Sequence, residues 1–537
     1  MNRHPQEKKK MAFTFQINDG LNFNHDEALL AKAEKLKPDL KVRKLNPTGL
    51  VRLTQDASRL EGTGTEPDER VLEEMQLAKG ESFILDFGQH LVGHFSIDIE
   101  SKGSPMDSPL YLQLRFAEVP AELSHESSEY NGWLARSWIQ EEFIHVDELP
   151  ATMELPRRYA FRFVEIRVLE TSPKWKAAFK NPEAKSLTSA SELPELPEVN
   201  DEELEKIRDI AIATLKDCML DVFEDGPKRD RRLWLGDLRL QAKANYSSFR
   251  NMDLVKRCLY LFGAMSVDDG RISANVFVRP EPVPDDTFLF EYSLFFGDVL
   301  NDYLNEVSDQ EALRDLYPIA KKQMDYALGL VDENGCLNLP ESYPVFVDWS
   351  NEFNKKTAAQ AIMIYELKRF IELAKKAEDE TEAYEKKLKQ MTEYALEHLY
   401  DSDRHLFTTE KDEINIASQV WMVLAGLLNL EENRKVMEAA LENLFPVHGI
   451  ATPYMYHYIA EALFEAGLYD EAVSFMKNYW GKMIEMGADT YWEAFDPDQP
   501  DYSPYGSPII SSYCHAWGCT PVYLIDKYIL NKDHREN

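Results

Sequence analysis

Pro194-Glu195-Leu196-Pro197-Glu198-Val199-Asn200 divides the chain into two halves with different hydrophobic periods. Two prolines and two acids in seven residues read as an extended linker, the end of a seam over 171–200. Upstream, from about residue 48 to 170, apolar residues alternate with polar ones. His94-Phe95-Ser96-Ile97-Asp98-Ile99, Leu110-Tyr111-Leu112-Gln113-Leu114 and Phe161-Arg162-Phe163-Val164-Glu165-Ile166 show the period of half-buried strands. No long helical pattern separates them, which predicts an antiparallel β-sandwich. Downstream, Leu204, Ile207, Ala211 and Leu215 fall three or four apart, on one face of a helix. Amphipathic segments then recur near 238–250, 252–264, 286–306, 309–330, 354–377, 383–401, 414–427, 431–444, 453–466, 469–485 and 516–530. With 201–219 they make about twelve helices, the number that closes into an (α/α)6 barrel. An open solenoid is the alternative, but no fixed repeat period is visible. The expected order is an N-terminal extension over 1–47, a β-sandwich over 48–195 and an (α/α)6 barrel over 196–537.

The chain has 537 residues, 44% hydrophobic and 11% aromatic, so it can bury large cores. Its formal net charge of −34 repels nucleic acid and anionic membrane, and neither is expected as a partner. No apolar leader follows Met1 and no stretch has the length of a membrane span. Cys218, Cys258, Cys336, Cys514 and Cys519 are an odd, sparse set. They point to a reduced, cytoplasmic compartment and to no zinc site.

The densest chemical signal is Asp225-Gly226-Pro227-Lys228-Arg229-Asp230-Arg231-Arg232-Leu233-Trp234-Leu235-Gly236-Asp237. It lies between two helical segments, with a turn at Gly226-Pro227, and Gly236 is expected to break the chain before the next helix. A solvated charged loop would have this composition too. Trp234 argues against that, because an indole is costly to leave in water, and interleaved Asp and Arg make a network able to tune proton affinity. Far along the chain, Gly487-Ala488-Asp489-Thr490-Tyr491-Trp492-Glu493-Ala494-Phe495 sets Glu493 among aromatics, which raise a carboxyl pKa and suit the C–H face of a sugar. A surface Glu beside a core Trp reads equally well there. Tyr343 to Trp349 is a loop with an exposed-looking Trp349, and Ser511 to Gly518 opens the last helix with His515. Nucleophile, phosphate-loop and zinc-protease motifs are missing from the chain, which leaves carboxylate-pair chemistry, most often glycoside hydrolysis.

These motifs resemble glycoside hydrolase family 78, the α-L-rhamnosidases. Asp225, Pro227, Arg229, Trp234, Gly236 and Asp237 fit its acidic signature. Ala488-Asp489-Thr490-Tyr491-Trp492-Glu493 is similar to its T-x-W-E segment, and His515-Ala516-Trp517-Gly518 to its H-A-W-G. In the β half, Leu85-Asp86-Phe87-Gly88-Gln89, Arg115-Phe116-Ala117-Glu118 and Phe161-Arg162-Phe163-Val164 look like family strands. The resemblance implies an inverting hydrolase that needs no metal or cofactor. It implies Asp230 as general acid and Glu493 as general base, with Asp225, Arg229, Trp234, Asp237, His515 and, on a looser match, Trp349 around the rhamnose ring. The acid is an Asp in a loop one residue shorter than in many members. The chain ends soon after the His515 helix, where many relatives add a β-domain, so the expected substrates are small rhamnosides. A homodimer is the expected assembly. Other readings are a phosphorylase, a lyase or a non-catalytic sugar-binding protein. The two separate carboxylates argue against all three.

Overall fold

The computed structural model describes residues 16–350 and 352–531. Nine strands form one antiparallel sheet: β1 (Lys41–Leu45), β2 (Gly49–Gln55), β3 (Thr63–Pro67), β4 (Ser82–Gly103), β5 (Leu110–Ala117), β6 (Glu141–Val146), β7 (Ala151–Glu154), β8 (Tyr159–Glu170) and β9 (Trp175–Thr188). The 22-residue β4 organises it. Its first half pairs with β2 and β8, its second with β7 and β9, and the register shifts between Asp86 and Leu91. Phe83, Leu85 and Phe87 from one half and Phe95, Ile97 and Ile99 from the other enter a single apolar core. The sheet therefore folds over on itself, and the two layers of the expected sandwich are parts of one continuous sheet.

The segment before residue 48 is woven into both halves. The first fifteen residues of the expected extension lie outside the described ones. Of the rest, α1 (Glu27–Lys35) packs on a barrel helix and β1 pairs along β9. The residues Lys41-Val42-Arg43-Lys44-Leu45 are nearly all exposed, so no alternation marks this strand.

After residue 200 the periodic segments become helices: α2 (Glu202–Cys218), α3 (Leu235–Tyr246), α4 (Met252–Ala264), α5 (Phe290–Glu306), α6 (Gln310–Leu328), α7 (Lys356–Lys376), α8 (Glu382–His398), α9 (Ile416–Leu424), α10 (Leu430–Leu444) and α11 (Pro453–Glu465). Then come α12, Tyr469–Met476 extended through a π-helical turn to Glu485, and α13, Pro521–Ile525 extended to Leu530. The set α3, α5, α7, α9, α11 and α13 touches in sequence, and α13 returns to α3, which closes the ring. Each inner helix packs on an outer one, α3 on α4, α5 on α6, α7 on α8, α9 on α10, α11 on α12 and α13 on α2. Twelve helices in a closed ring are the (α/α)6 barrel expected from the period. Two boundaries differ from the sequence reading. The last helix starts at Pro521, after a 3-10 turn over Ala516–Gly518. Gly236 lies inside the first turn of α3 and does not break it: a Cβ there would stand 2.2 Å from the Tyr292 ring, so a close helix contact requires the glycine.

Candidate active site

Three loops meet at one end of the barrel. The first runs from Asp225 to Trp234 between α2 and α3. It is closed at its base by hydrogen bonds of Asp225 with Arg232, main chain to main chain at 3.0 Å and Arg232 N–H to the Asp225 carboxylate at 3.0 Å. At its tip Asp230 and Arg231 take left-handed backbone conformations, with φ of 60° and 54°, a geometry uncommon outside glycine and frequent at functional sites. The second loop, 487–495, pairs with the third, 511–515. Glu493 N–H donates to the Ser512 carbonyl at 3.1 Å, and His515 N–H to the Tyr491 carbonyl at 2.8 Å. The Ala516 N–H reaches the Asp225 carbonyl at 2.8 Å, joining the third loop to the first. Residues about 260–290 positions apart in sequence thus share one small hydrogen-bonded unit.

Arg229 links the two candidate catalytic carboxyls. Its guanidinium donates to Glu493 Oε2 and, at 3.2 Å, to Asp230 Oδ1, and its Nε donates to the Ile510 carbonyl at 3.2 Å. The Tyr505 hydroxyl donates to the other Glu493 oxygen, and its ring lies 4.1 Å from the Arg229 guanidinium carbon. Glu493 is buried, whereas 19% of the Asp230 side chain is exposed. Burial raises the Glu493 pKa, and Arg229 and Tyr505 pull back without cancelling the rise.

Beside this pair, buried His515 sits between Asp225 (3.8 Å) and Asp237 (3.6 Å). Burial and the Arg229 charge hold His515 well below its ordinary pKa, so the ring is neutral. Burial, then Asp230 and Asp237, push Asp225 up; burial, then Glu493 and Asp230, push Asp237 up. Asp237 Oδ1 and His515 Nδ1 are buried with no hydrogen-bond partner among the described residues. Such groups cost stability unless a ligand hydroxyl completes them. Half-buried Trp234 stands edge-on to Tyr292 at 6.3 Å, next to Gly236, and half-buried Trp349 edge-on to Tyr505 at 6.2 Å. The fold therefore gathers every residue singled out in the sequence: Asp225, Arg229, Asp230, Trp234, Asp237, Trp349, Glu493 and His515.

Two contributors escaped the sequence reading. Tyr505 lies in Ser503-Pro504-Tyr505-Gly506-Ser507, a proline- and glycine-flanked aromatic between two recognised motifs. The sheet domain supplies Tyr130 to Ile139, whose apolar residues form one cluster with Tyr505, Ile509, Ile510 and Trp349. Tryptophans at 133 and 138 in a loop were the available signal.

Among the described residues one group has atoms suited to metal ligation, His90, Asp217 and Cys514, within 4.8 Å of one another. It lies at the interface of the two domains, joined to the pit through the Cys514–His515 peptide. Both ring nitrogens of His90 already have partners, Asp217 at 2.7 Å and Glu118 at 3.0 Å. Burial opposes a charge on this ring, but Cys514, Asp217 and Glu118 around it outweigh burial and hold its pKa well above the ordinary value. The group reads as a buried ion-paired imidazolium.

Comparison with known proteins matches both halves. The model of the glycosyl hydrolase family 78 α-rhamnosidase N-terminal domain matches residues 47–186. That of the bacterial α-L-rhamnosidase six-hairpin glycosidase domain matches residues 197–529. Among solved structures, a rhamnosidase from Klebsiella oxytoca with rhamnose bound is 43% identical, with a TM-score of 0.91 over 94% of this chain and 99% of that one. The family 78 rhamnosidase of Bacillus sp. GL1 is 18% identical with a TM-score of 0.71, over 87% of this chain and 49% of that one, and shares the fold. The Streptomyces avermitilis α-L-rhamnosidase complexed with L-rhamnose is 17% identical with a TM-score of 0.65, over 91% and 44%. No curated protein matches. With both domain models in order along the chain and a rhamnosidase matching it nearly end to end, the chain belongs to glycoside hydrolase family 78 and is an α-L-rhamnosidase, a glycosidase that hydrolyses rhamnosides.

Proposed function

We propose that the enzyme releases terminal L-rhamnose from small α-L-rhamnosides with inversion at the anomeric carbon, Asp230 acting as general acid and Glu493 as general base. The observation that carries this reading is the unequal depth of two carboxyls on one guanidinium. Glu493 is buried and gripped through both oxygens, while Asp230 stands at the more open tip of its loop. A sugar in the pit has the base on its inner side and the acid on the side from which the leaving group departs. Asp230 passes its proton to the glycosidic oxygen as the C–O bond breaks. A water on the opposite face attacks the anomeric carbon and gives its proton to Glu493. A carboxylate has about four lone-pair sites, so Glu493 can accept from Arg229, Tyr505 and that water together.

Asp225, Asp237 and His515, with two unpartnered buried atoms between them, suit the hydroxyls of the ring. Trp234 and Trp349 suit its apolar face and methyl group, and Arg229 fixes the geometry of both carboxyls. The proposed reaction calls on no metal or cofactor, because these side chains supply the acid, the base and the hydroxyl partners. The partner is a neutral small molecule, not nucleic acid or a membrane. No described helix is long and apolar enough to cross a membrane. All five cysteines are free, which supports a reducing, cytoplasmic setting, and the proposed assembly is a homodimer.

The deciding experiment follows hydrolysis of 4-nitrophenyl α-L-rhamnoside by proton NMR. The first-formed sugar is expected to be the β-anomer. First-formed α-rhamnose would refute inversion, and turnover of a different glycoside alone would refute the substrate.

A further inference from the structure

The sheet domain does more than support the barrel. Its loop Asn131-Gly132-Trp133-Leu134-Ala135-Arg136-Ser137-Trp138 crosses to the rim of the catalytic pit. Gly132 makes the approach close: a Cβ there would stand 2.5 Å from the Tyr505 carbonyl. The Trp133 indole N–H donates to the Pro504 carbonyl at 3.4 Å, and its ring is 5.6 Å from that of Tyr505, tilted by 46°. Trp138 lies 5.9 Å from the guanidinium of Arg231, the neighbour of the proposed acid.

This loop therefore stands at the rim of the site, beside the Tyr505 and Arg229 pair that holds both carboxyls. Tyr505 joins Trp133 to Arg229, Arg229 touches Asp230, and Trp138 meets the residue after Asp230. Yet Trp133 keeps 37% of its surface in solvent and Tyr502, on the adjoining turn, keeps 40%. Large aromatic surfaces left open at the rim of a catalytic pit lose apolar burial unless something covers them. The proposed roles of Trp234 and Trp349 do not use either ring.

We infer that Trp133, with Tyr502 on the adjoining turn, forms a leaving-group subsite that accepts a flat, apolar-faced ring bonded directly to the rhamnosyl oxygen. An aryl aglycone and the C–H face of a second sugar share this chemistry. The assignment rests on the proposed placing of Asp230 on the leaving-group side. The indole holds the ring edge-bound and desolvated while Asp230 delivers its proton. Specificity for the aglycone thus resides in the sheet domain, and specificity for rhamnose in the barrel.

The test compares wild type, Trp133→Ala and Trp133→Phe on methyl α-L-rhamnoside, 4-nitrophenyl α-L-rhamnoside and a rhamnosyl-glucose disaccharide. Inhibition by free L-rhamnose is measured alongside. In Trp133→Ala, kcat/KM on at least one ring-bearing substrate, relative to the methyl rhamnoside, is expected to fall about five- to tenfold, with Trp133→Phe restoring most of it. The ring-bearing substrate that suffers names the natural class. The L-rhamnose inhibition constant is expected to stay at its wild-type value. Equal losses on all three substrates, or a weakened L-rhamnose inhibition, would mean that the loop merely props the pit and would overturn the subsite. Unchanged ratios would overturn it as well. Wild-type turnover of no rhamnoside would instead bring down the reaction on which the subsite rests.

Discussion

Two buried charged regions lie side by side in this molecule and are built on opposite rules. At the seam between the domains buried carboxylates meet cations. Lys228 pairs with Glu122, Arg158 holds Glu224 through two bonds of 2.9 and 2.7 Å, Arg162 holds Asp86, and His90 bridges Asp217 and Glu118. In the pit, Asp225, Asp230, Asp237 and Glu493 crowd together, and Arg229 contacts two of them. The regions are joined through the backbone. Glu224, Lys228 and Cys514 face the seam, while their sequence neighbours Asp225, Arg229 and His515 face the pit. The satisfied seam holds the unsatisfied site in place. Frustrated carboxyls persist because their neighbours are anchored to the other domain.

The sharpest separation of the two comes from the reacting groups. Asp230→Asn and Glu493→Gln are each expected to lower kcat/KM on an unactivated rhamnoside about 10²–10⁴-fold, with circular dichroism unchanged. An activated leaving group needs less proton help, so 4-nitrophenyl rhamnoside should suffer less from Asp230→Asn than from Glu493→Gln. Equal losses on both substrates would undo the assignment of acid and base.

Removing a seam charge should cost fold rather than chemistry. His90→Leu leaves Glu118 and Asp217 buried without their cation, at a cost of about 3–5 kcal/mol in denaturant unfolding. Because the folded-state pKa of His90 is raised, the stability it contributes is fully present below its ordinary value near 6.5. It is lost as pH rises through the raised value. The wild-type advantage over His90→Leu should accordingly shrink at alkaline pH. A difference independent of pH would show that the imidazole acts by packing alone.

How far these regions could be read in advance depended on how local their information is. The helical period carried all twelve barrel helices, because an amphipathic face repeats within each segment. Asp230, Glu493, Asp225 and His515 were legible because each sits in a short motif of unusual composition. The seam was not legible. Lys228 looked like one more charge in a basic loop, and its partner Glu122 is 106 residues away. The strand Lys41–Leu45 was missed for lack of a buried face, and Gly236 was misread because the Tyr292 ring that demands it belongs to another helix. Tyr505 had no motif to announce it, although it grips the base directly.

The pit should respond to charge removal with the opposite sign from the seam. Burial, Glu493 and Asp230 raise the pKa of Asp237, so the folded state favours its protonated form. That preference costs stability as pH rises from the ordinary carboxylate value through the raised one. Asp237→Asn is then expected to gain about 1 kcal/mol of stability at neutral pH while losing affinity for L-rhamnose. Thermal unfolding at pH 7 and pH 4 checks this, because the gain should vanish where the wild-type group is already protonated. A destabilised Asp237→Asn at both values would place this carboxyl among the satisfied groups.

The smallest effect is the most diagnostic of how the pit is tuned. Burial lifts Glu493 above its ordinary value near 4.5, so the acidic limb of the kcat/KM profile should lie above that value, where the base first ionises. The Tyr505 hydroxyl donates to the carboxylate and favours the charged form. Tyr505→Phe keeps the ring on Arg229 and deletes only that bond. The Glu493 pKa then rises further, and the limb should move to higher pH. The plateau rate should fall less than tenfold, because Arg229 still holds the other oxygen. A limb that stays in place while the plateau drops would mean that Tyr505 positions the carboxylate without setting its proton affinity. Arg229 alone would then keep the base ionised among the crowded carboxyls of the pit.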